Sequence, residues 1–186
     1  MNIDKNKDIK SEAASVAKEL YNSLSSSNEN GKEDSFITQL SEIIENRNIN
    51  VTIVDFRDFF RGDPEILSHI KKHNVVGLSN PALKQIYIDR NATAAEKRFT
   101  LAHEIGHVIL HSSENRVFCN DNQEQNKKNP KELEASSFAY ELLMPIEQIK
   151  IAYEISKSLS ILANLFGVPK SKMKQRLNYL KELGEI

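Results

Sequence analysis

The chain predicts an α+β fold that is mostly helical, with a small three-stranded antiparallel sheet near its middle and a helical, helix-turn-helix-like module at its end. Three observations carry that expectation. Apolar residues recur at helical spacing up to residue 46 and again beyond residue 93. Between them the pattern switches to period two, as half-buried strands require. After Pro145 three short helical segments follow one another, with Ala163, Gly167 and Met173 arranged as in a helix-turn-helix. The expected organisation is a polar N-terminal extension over 1–35, a main domain over 36–145 and a C-terminal helical module over 146–186.

Each element has its own signal. Ala13, Ala14, Val16, Ala17, Leu20 and Tyr21 predict an amphipathic helix over 11–24, and the Ser- and Asn-rich run 23–31 predicts a linker. Phe36, Ile37, Leu40, Ile43 and Ile44 predict a second helix ending near Asn46. Val51, Ile53 and Phe56 suggest a first strand, and 74–78 and 85–88 suggest two more, paired as a hairpin across Asn80-Pro81. Thr93 and Glu96 have capping-box spacing, so a long helix should run from there to about His111. Residues 113–129 show no period and predict a long polar loop, with the role of a mobile lid as one hypothesis. Asn129-Pro130 opens a helix that ends near Leu143, since Asn caps well and Pro fits the first turn. Segments 146–156, 158–166 and 169–182 complete the chain.

Bulk composition narrows the class. The 186 residues carry 25 basic and 26 acidic side chains, a formal charge of -1, so no global field favours nucleic acid or an anionic membrane. The hydrophobic share of 39% suffices for one core, and the mean hydropathy of -0.49 assigns the excess polarity to tails and loops. The single Cys119 rules out an intrachain disulfide, residues 1–10 lack the apolar core of a secretory signal, and no apolar run is long enough to span a membrane. A cytoplasmic location is the expectation.

The chemistry concentrates at His103-Glu104-Ile105-Gly106-His107. Two histidines four apart lie on one helical face, where both imidazoles can reach one metal ion. Glu104 projects about 100° away around the helix, beside the ion, where a general base belongs. Leu101, Ile105, Val108 and Ile109 form an apolar stripe for the core. Gly106 leaves room for a substrate strand or another helix to approach closely.

Catalytic zinc sites usually take a third protein ligand. His111 continues the series, but each step of four drifts about 40°, so it reads as a helix-end histidine or a support for the ligands. Cys119 lies in the polar loop, and His69 and His73 read as solvated residues on a Lys-rich stretch. Two carboxylates remain. Glu132 is in phase with Ala135, Ala139 and Leu142 and would face inward, although its spacing from Asn129 also suits a capping box. Glu134 shares a mixed face with Phe138 and Glu141. Glu132 is the favoured ligand and Glu134 the alternative.

These residues support a resemblance. Arg98-Phe99-Thr100-Leu101-Ala102-His103-Glu104-Ile105-Gly106-His107, followed by Glu132, Ala135, Phe138, Ala139 and Leu142-Leu143-Met144-Pro145, resembles the ImmA/IrrE metallo-endopeptidase family, over roughly residues 37–186. The resemblance implies a zincin-like metallopeptidase domain with a gluzincin-like site: His103, His107 and Glu132 on Zn2+, with Mn2+ as an alternative, and Glu104 as base. It further implies an endopeptidase that cuts helix-turn-helix repressors and so relieves repression. The competing expectation is a toxin, or a regulatory partner in a toxin–antitoxin or prophage system, with a non-catalytic metal site or a DNA-binding role. That role would rest on Lys170, Lys172, Lys174 and Arg176 facing outward from the last helix. The near-zero net charge argues against direct nucleic-acid binding.

Overall fold

The computed structural model describes residues 12–23, 36–113, 117–119 and 129–186. Helix α1 (12–23) precedes α2 (Phe36–Arg47) and strand β1 (Asn50–Val54). Two short helices follow, α3 (Phe56–Phe59) and α4 (Pro64–His73), then β2 (Gly77–Asn80), a 3-10 turn at Pro81–Leu83, and β3 (Gln85–Asp89). The long helix α5 (Ala94–Leu110), strand β4 (Val117–Cys119) and helix α6 (Pro130–Leu143) come next. Helices α7 (Ile146–Ile155), α8 (Leu159–Leu165) and α9 (Lys170–Glu182) end the chain. The linker expected over 23–31 lies outside the described residues beyond Ser23.

The sheet differs from the expected one. It has four strands in the order β1-β3-β2-β4 and is mixed, because β1 runs parallel to β3 while β2 is antiparallel to both β3 and β4. The β2–β3 hairpin is as expected, with Asn80 opposite Gln85, but β2 starts three residues late, at Gly77 rather than residue 74. The parallel pair arises because α3 and α4 carry the chain across between β1 and the hairpin, a connection that parallel strands need. These two helices are absent from the expected elements, although both are capped. The Asp55 carboxylate accepts from the Arg57 N–H at 2.9 Å and the Asp63 carboxylate from the Ile66 N–H at 3.0 Å. Asp63-Pro64 is a recognisable helix start. The fourth strand falls inside the segment expected to be a structureless loop; the remainder of 114–128 lies outside the described residues, and with it most of the lid hypothesis.

Alternation along β3 sorts the sheet's two faces. Ile86 and Ile88 are buried in the main core with Phe99, Ala102 and Ile105 of α5. Leu78, opposite Tyr87 in the hairpin, belongs to a smaller cluster on the other face, with Phe56 and Val75 packed by Phe60 and Ile70. The sheet is thus sandwiched between α3/α4 and α5, and α6 packs on α5 from beyond.

Helix α5 begins at the expected capping box: the Thr93 N–H donates to Glu96 Oε2 at 2.8 Å and the Glu96 N–H to Thr93 Oγ1 at 3.3 Å. Helix α6 begins at Asn129, whose side chain accepts from the Lys131 N–H at 3.1 Å. The expected single apolar stripe on α5 is too narrow, for every residue from Ala102 to Val108 is buried. The sheet covers one side of the helix and α6 another, so its polar residues are interior as well.

The main core continues into the C-terminal helices through Leu162, Ala163, Phe166, Met173, Leu177 and Leu180, and it takes in Ala17 of α1. Arg176 does not face outward. It is 4% exposed, and its guanidinium donates to Glu141 Oε2 at 2.5 Å and to the Met144 carbonyl at 3.1 Å. Two acceptors at the end of α6 give the charge an interior partner, which basic spacing on α9 does not reveal. Lys172 lies over the Phe99 ring, 4.8 Å from its centre. Among the described residues no helix is long and apolar enough to cross a membrane.

Candidate metal centre

The α5–α6 contact builds the site. Gly106 makes it close: a Cβ placed there would lie 3.1 Å from Phe138 Cδ1 and 3.2 Å from the Cα and carbonyl oxygen of Ala135. The close approach anticipated at Gly106 is therefore that of a neighbouring helix. Ala135 is three residues beyond Glu132, on the same face of α6. Packing at Gly106 thus delivers Glu132 to the histidine side of α5.

There the side chains converge. His103 Nε2 and His107 Nε2 are 3.1 Å apart. Glu132 Oε2 is 3.3 Å from His103 Nε2, and Glu132 Oε1 is 3.3 Å from His107 Nε2. One ligand atom from each of the three lies within 4.8 Å of the others, and all three residues are buried. Two imidazole nitrogens and a carboxylate are the donor set of a His2Glu zinc site, so this group could hold a divalent ion. Among the described residues no other cluster of this kind occurs.

The electrostatics agree. Burial alone would raise the Glu132 carboxyl, but the His103 and His107 imidazoles beside it outweigh burial and hold it well below the ordinary value of 4.5. Burial lowers His107 from its ordinary 6.5, against partial compensation from Glu132. An ionised carboxylate and a neutral imidazole are the forms that bind metal.

Glu104 is fully buried and turned to the sheet. A Cβ on Gly77 would sit 3.2 Å from Glu104 Oε1 and only 2.3 Å from the methyl of Thr100. Gly77 is thus a site residue that pattern reading did not find; a glycine inside a strand is the available signal, since it marks a close approach. The other candidates are placed away from the His103–His107–Glu132 group or behind it. Glu134 is paired with His111 instead of reaching the triad. His73 is buried, its ring tilted against that of His69 with centres 4.6 Å apart, so the solvated reading fails for it. Cys119 ends β4. Ser136, also unforeseen, places its hydroxyl 3.3 Å from His103 Nδ1.

Residues 44–178 match the Peptidase_M78 family model, described as the IrrE N-terminal-like domain. Immunity region protein 2 of Bacillus phage phi105 is 33% identical over 103 residues, covering 55% of this chain and 61% of the phage protein. A Mycobacterium tuberculosis transcriptional regulator of known structure shares the fold at a TM-score of 0.57 and 17% identity, over 94% of this chain and 48% of the regulator. The chain therefore spans less than two thirds of either relative.

Proposed function

We propose, on the premise that this chain belongs to the Peptidase_M78 family, that it is a metal-dependent endopeptidase directed at one protein substrate. The observation that carries the reading is the convergence of His103, His107 and Glu132 within 4.8 Å in the interior, on the helix that also bears Glu104. A zinc ion held by these three would supply Lewis-acid activation of a peptide carbonyl and of a water. The chain's own residues do the rest. His103 and His107 present ring nitrogens, and Glu132 balances charge. Glu104 takes the proton from the attacking water and passes it to the leaving amine. Gly77 keeps the space in which that carboxylate lies.

The substrate we propose is a helix-turn-helix repressor, so that cleavage relieves repression. Support comes from the phage relative, whose name places it in an immunity region. Burial of Arg176 removes one of the four basic residues on which a DNA-binding role for α9 would rest.

Glu104→Gln tests the reading. Glutamine keeps the shape but cannot accept the proton. Zinc-loaded parent protein should cut a helix-turn-helix repressor presented as substrate, while Glu104→Gln should bind zinc equally and leave the repressor whole. Cleavage by the variant within a few-fold of the parent would place the base elsewhere.

A further inference from the structure

Behind the ligand triad lies a second row of polar side chains. His107 Nδ1 is 3.0 Å from His111 Nδ1, and His111 Nε2 is 2.5 Å from Glu134 Oε2. His111 reaches this place by leaving the helix. As the C-cap of α5 it has φ -126° and ψ 40°, while its own N–H still donates to the His107 carbonyl. The drift that would carry a third helical histidine past the metal instead carries His111 to the back of His107.

We propose that Glu134 and His111 are positioning residues that hold His107 in its metal-ready tautomer, a role that rests on the metal reading above. The protons can be assigned around the row. An ionised carboxylate only accepts, so the His111 proton sits on Nε2 and is donated to Glu134. His111 Nδ1 is then a bare acceptor. The 3.0 Å contact therefore requires the His107 proton on Nδ1, which leaves His107 Nε2 with its lone pair toward His103 and Glu132. The competing tautomer is available, since a proton on Nε2 could be donated to Glu132 Oε1 3.3 Å away and would have to leave before a metal could bind. The row decides against it. His103 has no such lock, for the Ser136 hydroxyl beside its Nδ1 can donate or accept. Helix α6 thus contributes a ligand, Glu132, and two residues further on the carboxylate that orients an opposing ligand. Partners of this kind are worth about 10–100-fold in metal affinity.

The test uses the full chain with His111→Phe, Glu134→Ala and His111→Gln. Glu134 is the milder site to truncate, as its side chain is 28% exposed. Imidazole nitrogen shifts report the tautomer in the metal-free protein, and chelator competition reports zinc affinity. In the parent, His107 should be protonated at Nδ1. In His111→Phe it should change to the Nε2 form, and both truncations should lose about 10–100-fold in zinc affinity. His111→Gln should restore both readouts, because an amide oxygen accepts from His107 as His111 does. An Nε2 proton on His107 in the metal-free parent would overturn the proposal, as would parent-like zinc affinity in both truncations. If the parent takes up no zinc, the metal reading fails, while the nitrogen shifts still decide the row.

Discussion

Substituting Gly106 tests whether one missing side chain sets the geometry of the site. A Cβ there would meet Phe138 Cδ1 at 3.1 Å and the Ala135 Cα and carbonyl oxygen at 3.2 Å, whereas unstrained carbon contacts lie at about 3.5–4.0 Å. Two of the three neighbours are backbone and cannot rotate away, so α5 and α6 must part by a few tenths of an ångström. Overpacking of this kind costs roughly 1–3 kcal/mol, while replacing a mid-helix glycine with alanine returns about 1 kcal/mol. Gly106→Ala should therefore be destabilised by about 1 kcal/mol, and Gly106→Val, with two further methyls, by about 3 kcal/mol or more. Glu132 rides on the displaced helix, and zinc ligands tolerate errors of only about 0.2 Å. Zinc affinity should fall in both variants, and further in valine. Urea unfolding of the metal-free proteins, with chelator competition on the same samples, measures the two effects. A Gly106→Ala protein as stable as the parent, with parent-like zinc affinity, would refute the argument that this contact places Glu132.

His103→Ala or His107→Ala should abolish zinc binding and Glu132→Ala nearly so, whereas Glu134→Ala should only weaken it; equal losses in the two glutamate variants by chelator competition would contradict the assignment of roles. Removing one partner of the buried Arg176–Glu141 pair, by Arg176→Met or Glu141→Leu alone, should cost about 3–5 kcal/mol, and the double variant should recover much of that in urea melts. The metal-free protein should lose stability in acid. The folded-state values of His107 and His111 lie below the ordinary 6.5, chiefly through burial, so below that pH the unfolded chain binds more protons and stability falls. Glu132 adds a second loss as pH drops below its ordinary 4.5, because its carboxyl is held lower when folded. A urea midpoint unchanged between pH 7.5 and 5 would contradict the histidine part.

Much of this was legible in order along the chain. The capping box at Thr93, the Asn129-Pro130 start and the helical period after Pro145 are local signals, and the elements sit where those signals put them. The inward phase of Glu132 was legible too, since the small residues Ala135 and Ala139 mark the packed face of α6. Tertiary facts were not. Parallel pairing of β1 with β3 depends on two intervening helices whose apolar residues serve a separate small cluster. The burial of Arg176 depends on acceptors 32 and 35 residues away in sequence. The contact between His111 and Glu134 spans a segment of no detectable period, so its spacing carried no information.

The Arg176 anchor has a mechanical meaning. Arg176 grips α6 at Glu141 and at the Met144 carbonyl, and Glu132 stands near the opposite end of that helix. Glu141 lies nine positions beyond Glu132 along the helix, a rod of about 14 Å at 1.5 Å per residue. A pull or twist applied to the final helix therefore reaches the Glu132 end through stiff secondary structure, without passing along a loop. Whatever grasps the C-terminal helices holds one end of a lever whose other end is Glu132.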